Sequence, residues 1–168
     1  MTGVSGLVLA ASYALHMMAT AVWIGGLFYL VVLLPIPLRR MPQEEGRGVL
    51  RHSIRRFLPL AWLAAVAFTV TGLTQMSASP MYQGFLEIHN VWSAVILTKH
   101  IVIAGMVVLL AWETWVVAPE FDRLALGLSS RPSDSVDGLW RSERRGLTVS
   151  LLLGGIVLVL TAIARSSV

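Results

Sequence analysis

Four nearly uncharged apolar stretches dominate the sequence: Leu7 to Leu34, Phe57 to Leu73, Val91 to Val117 and Leu147 to Ala164. Each reaches or approaches the roughly 17 to 25 residues that a helix needs to cross the hydrocarbon core of a bilayer. There every backbone N–H and C=O must be satisfied within the spanning structure, which a helix does by itself. The chain is therefore expected to be all-α, an integral membrane four-helix up-and-down bundle forming one domain over residues 1–168. Of its 168 residues, 56% are hydrophobic and 13% charged, against about 25% charged in an ordinary soluble domain. The absence of cysteine excludes disulfides, iron–sulfur clusters and thiol catalysis.

Local punctuation supports these limits. Pro35 and Pro37 close the first stretch, Pro59 falls where the first turn of the second tolerates it, and Pro119 follows the third. The first stretch is too long for a signal-peptide core and has no basic residue before it, so it reads as a retained helix. The 27 residues from Val91 to Val117 would reach about 40 Å, which implies tilt or extension beyond the lipid core.

Placement of charge sets the expected orientation. Arg39, Arg40, Arg47, Arg51, Arg55 and Arg56 lie between the first two stretches, and Arg123, Arg131, Arg141, Arg144 and Arg145 between the last two. These are 11 of the 13 basic residues, and Thr74 to Asn90 holds none. The positive-inside rule then puts both termini on the outer side of the cell (inner) membrane and both basic connections in the cytoplasm. Topology and contact with anionic lipid account for the Arg-rich stretches, including Arg47 to Phe57, without invoking nucleic acid. The third connection, with Ser129, Ser130, Pro132, Ser133, Asp134 and Gly138, has linker chemistry and is expected to be mobile. No internal repeat stands out, and Gly25-Gly26 and Gly154-Gly155 mark candidate close helix contacts.

A titratable side chain at the centre of a membrane helix costs at least about 2.5 to 3.5 kcal/mol, so each needs a partner or a task. His16 lies nine residues past Leu7 and His100 nine past Val91, each about 14 Å along its helix. Two neutral imidazoles at matching depth suit an axial pair on haem iron; the structural alternative is a hydrogen bond to a neighbouring helix. Tyr13, His16, Thr20 and Trp23 recur at spacings of three and four, forming one polar-aromatic face that fits a cofactor pocket or ordinary interhelical bonding. Lys99 must snorkel, lose its charge or pair with an anion such as a propionate. It shares a stripe with Trp92, Met106 and Glu113 and diverges by about 100° from His100, so the two cannot aim at one point. Glu113 is expected near the cytoplasmic end, satisfied by solvent or an Arg. An alternative site for Cu(I) uses Met76, Met81 and His89, with Met17 and Met18 beside His16; adaptable packing explains the same methionines. His52, among arginines, reads as a solvated surface group.

The segments LHMMATAVWIGGLFYL, RHSIRRFLPLAWLAAVAFTVTGL, ILTKHIVIAGMVVLL and RRGLTVSLLLGGIVLVLTAI resemble the copper-resistance protein D (CopD) family and its HemJ-type relatives. The resemblance spans all four helices. It implies a four-helix membrane module associated with copper uptake or, in the HemJ-type proteins, with haem b and protoporphyrinogen oxidation. It puts the family's helix-one histidine on His16 and its helix-three lysine on Lys99. His100 stands outside the pattern, and Ser150 stands where CopD relatives often carry a glutamate.

Together these readings lead to an expected membrane haem b protein that transfers electrons near the outer face. Its iron would be held by His16 and His100, or by His16 and Lys99, with Tyr13, Thr20 and Trp23 around the cofactor. The alternatives are copper binding or transport and HemJ-like porphyrinogen oxidation. Expected partners are the lipid bilayer, a redox protein or quinone, and a second copy of the chain, with no nucleic acid.

Overall fold

The computed structural model describes residues 5–79, 91–125 and 133–166. Every regular element among the described residues is helical: α1 (Gly6–Phe28), α2 (Pro35–Leu38), α3 (Gln43–Ser77), α4 (Val91–Trp112), α5 (Ala118–Ala125) and α6 (Ser133–Ser166), with π-helical turns at Tyr29–Leu33 and Glu113–Val117. Four continuous helical spans, Gly6–Leu38, Gln43–Ser77, Trp92–Leu124 and Asp137–Ser166, are long and apolar enough to cross a membrane. Their outer surfaces carry Leu63, Trp115 and Val159, exposed by 60% or more, as a lipid surroundings permits and water disfavours. The chain is thus a helical membrane protein.

Each local feature has a local cause. Ser5 caps α1 by accepting a hydrogen bond from the Val8 amide. Both π turns precede a proline that has no N–H to give. The Leu34 amide reaches back five residues to the Tyr29 carbonyl, and the Ala118 amide to that of Glu113. Widening the helix by one residue there accommodates Pro35 and Pro119 without breaking the span.

Two of the helices run further than the apolar pattern suggests. Helix α3 begins at Gln43 and absorbs the whole Arg-rich approach, so Pro59 lies inside the helix rather than in its first turn. The acidic Glu44 and Glu45 in its first turn suit the positive end of the helix dipole. Ion pairs to other elements hold the same stretch: Arg47 to Asp137, and Arg51 and Arg55 to the two carboxylate oxygens of Asp122. Helix α6 likewise starts at Ser133, so the part of the third connection from Ser133 to Gly138 is helical; Ser129, Ser130 and Pro132 lie outside the described residues.

Packing is strongest between α1 and α3 and between α4 and α6. Along the first pair, Ser12 meets Thr71 and Gln75 while Gly26 meets Phe57, so rising positions of one helix face falling positions of the other. A Cβ at Gly26 would overlap the Phe57 ring, and one at Gly154 would overlap Ile24 Cδ1, which ties α6 to α1. Gly26 and Gly154 of the two glycine pairs are therefore close-contact positions, whereas Gly25 and Gly155 meet nothing.

The two hairpins carry a similar pattern of buried positions. Buried Trp23, Leu27, Leu30 and Leu34 match buried Met106, Leu110, Glu113 and Val117 at an offset of 83 residues, as His16 matches Lys99, whereas the π turns and their prolines lie 84 residues apart and set Tyr29 against Glu113. Ile54, Leu58 and Ala65 correspond to Glu143, Leu147 and Gly154, each 89 residues later. A π turn followed by proline closes the first helix of each hairpin.

Candidate functional site

A cavity of about 360 Å³ opens between α1, α3, α4 and α6, within the roughly 300 to 1,000 Å³ usual for small-molecule sites. Ile24, Phe68, Ile103, Met106, Val157 and Leu158 make its walls apolar, and His16, Thr20, Lys99 and Thr161 supply its polar groups. Helical phase explains the convergence. His16, Thr20 and Trp23 share one face of α1, and Lys99 and Met106 share one face of α4.

The His16 ring is held in one orientation and one tautomer. Its Nδ1 lies 2.7 Å from Thr71 Oγ1. The single hydroxyl proton of Thr71 is donated to the Ala67 carbonyl, so Oγ1 can only accept from the imidazole. Nδ1 therefore carries the ring proton, and Nε2 keeps a free lone pair. Phe68 packs edge-on against the ring at a centroid distance of 5.2 Å. Thr71 is 3% exposed and is tied to α1 a second time, because Ser12 Oγ donates to its carbonyl. Gln75 Nε2 in turn donates to the Ser12 carbonyl. Thr20 Oγ1 donates to the His16 carbonyl and lines the same cavity.

Lys99 reaches this cavity from α4, near enough to His16 to act on it electrostatically. His100 does not line it. The His100 Nδ1 lies 2.7 Å from the Ile96 carbonyl of its own helix, which makes Nδ1 the protonated nitrogen there too. Of the two adjacent residues, Lys99 is thus the one the fold brings to His16.

The remaining candidates scatter. Trp23 is 3% exposed and walls the cavity. Tyr13 turns away, with the Arg165 guanidinium 5.6 Å over its ring. Met17 touches the cavity but is 72% exposed, and Met18 is 65% exposed. Met76 is half-buried near the end of α3, while Met81 and His89 lie outside the described residues. Among the described residues no group of three His, Cys, Asp or Glu side chains converges as a metal site. His52 is exposed.

A second cavity of about 240 Å³ lies next along the bundle and shares Trp23 and Met106 with the first. Glu113 and Ser150 line it. Glu113 is met not by an Arg but by Glu143, a residue that sequence reasoning passed over. On α6, Glu143 shares a stripe with Leu147, Ser150 and Gly154 at spacings of four, three and four. That phase marks Glu143 as facing the bundle once the helix is known to begin before it.

No family model, curated protein or solved structure matches the chain.

Proposed function

We propose that the protein is a membrane haem b protein that carries electrons, with the cofactor in the His16–Lys99 cavity. The observation that carries this reading is the His16 tautomer: a half-buried imidazole whose Nδ1–H is fixed by Thr71 presents Nε2 as a ligand, the arrangement that hydrogen-bond partners impose on metal-binding histidines. The donor set fits haem, with one imidazole and one amine on facing helices and apolar walls suited to a porphyrin face. Bound there, haem would supply reversible one-electron chemistry at iron.

The chain's own residues do the rest. His16 and Lys99 would hold the haem. Phe68, Ile103 and Val157 exclude water, and Thr71, Ser12 and Gln75 hold the histidine at its depth. The asymmetry of Arg placement supports an up-and-down bundle with both termini on the outer side of the inner membrane. His16 then lies in the outer half, which favours exchange of electrons with a partner or quinone at that face. Titration of the detergent-purified protein with haemin tests the reading. Stoichiometric binding that is lost in His16→Ala and altered in Lys99→Met is expected. Binding that is indifferent to both substitutions, or copper retained in place of haem, would overturn it.

A further inference from the structure

Near the Arg-rich end of the bundle two acidic side chains are buried against each other. Glu113, which opens the π turn after α4, is 7% exposed, and Glu143 of α6 is 2% exposed. Their carboxyl groups lie close enough to act directly on one another. No N–H or O–H donor among the described residues reaches Glu113 Oε1 or Glu143 Oε2. An ionised carboxylate only accepts and repels another, so a proton shared between the two would relieve both.

The surrounding charges favour a pair that keeps one negative charge. Arg51 of α3 acts on Glu143, and Arg51 and Arg55 share Asp122 of α5. Arg145 of α6 lines the cavity beside Glu113 and is exposed to its surroundings. With no proton, two like charges touch in a low dielectric; with two, no negative charge is left to face the arginines.

By their pattern of burial the positions of the first hairpin that match Glu113 and Glu143 are Leu30 and Ile54, and by its place in the π turn Glu113 matches Tyr29. None of these is a carboxyl group. An ionisable pair retained against its insertion cost points to a task. Glu113 also borders the second cavity, whose far wall, Trp23 and Met106, is shared with the His16 cavity.

We propose that Glu113 and Glu143 form a proton-binding site. One proton is shared between the two carboxyl groups and exchanged between the Arg-lined end of the bundle and the cavity beside Glu113. Each exchange breaks one O–H bond at the pair and forms one on an acceptor water, and no electrons move. The site stands independently of the haem reading, because protein without cofactor retains the pair.

Infrared absorption of the full chain in lipid nanodiscs, in H2O and D2O at neutral pH, tests the site. The expected result is a carbonyl band of a protonated carboxyl group that shifts in D2O and disappears in Glu113→Gln and in Glu143→Gln. The double variant Glu113→Leu with Glu143→Ile, which copies the first hairpin, should lack the band while keeping wild-type helical circular dichroism and monodispersity. No such band in the wild type, a band that fails to shift in D2O, or a band that survives in the double variant would overturn the proposal. Collapse of the double variant would overturn it too, by making the carboxyl groups a requirement of folding.

Discussion

Thr71→Val isolates the interaction on which the histidine's role depends. The substitution keeps the branched shape of a side chain that is 3% exposed but removes the acceptor that the described residues offer the His16 Nδ1 proton. The Ser12 bond survives, because it goes to the Thr71 backbone carbonyl. Leaving a buried N–H unsatisfied costs about 1 to 3 kcal/mol, and the ring is freed to adopt the other tautomer or to rotate. Loss of such a support typically lowers metal affinity about 10- to 100-fold, equivalent to about 1.4 to 2.7 kcal/mol. The two figures describe the same loss, once as a broken bond and once as a weaker ligand. Haemin titration followed at the Soret band should show this drop for Thr71→Val and near-wild-type binding for Thr71→Ser, which restores the hydroxyl. Equal affinity in Thr71→Val and wild type would refute the argument that Thr71 sets the tautomer.

Other expectations follow from the same geometry. His100→Ala should leave the oxidised and reduced spectra unchanged, because that ring is bound to its own helix, whereas Lys99→Met should alter the oxidised spectrum; the opposite pattern would make His100 the second ligand. Gly26→Ala forces a Cβ into the Phe57 ring and should destabilise the bundle by about 1 to 3 kcal/mol, read as a lower midpoint of thermal unfolding in detergent. Asp122→Asn removes the shared partner of Arg51 and Arg55, and a cost of about 1 kcal/mol or less is expected because all three side chains are partly exposed. In haem-loaded protein, proton uptake at the carboxyl pair on reduction would make the midpoint potential fall as pH rises, by up to about 59 mV per pH unit for one electron. Glu143→Gln should flatten that slope, as measured by redox titration at several pH values.

The helical fold was legible because lipid imposes a simple rule: a stretch near 20 apolar residues must satisfy its own backbone. The extra length of α3 and α6 was not, since Arg-rich and Ser-rich stretches read as connections until Asp122 and Asp137 are seen opposite Arg51, Arg55 and Arg47. Of the stripe Tyr13, His16, Thr20 and Trp23 that helical spacing marked on α1, the last three line one cavity and Tyr13 does not. The choice between Lys99 and His100 needed the rotation of α4, which a nearly all-apolar helix does not encode. Thr71 escaped notice because a threonine in an apolar helix looks like any other until its partner on another helix is known. The likeness between the hairpins was hidden because the two share a pattern of burial and a π turn before proline rather than residue identities.

The central claim is that His16 presents a ligating nitrogen to a haem. Its most direct test is the visible spectrum of the detergent-purified protein, expressed with adequate haem supply, before and after reduction with dithionite. The account predicts a Soret band with sharp α and β bands on reduction, all lost in His16→Ala. A featureless spectrum from well-folded wild-type protein would contradict it.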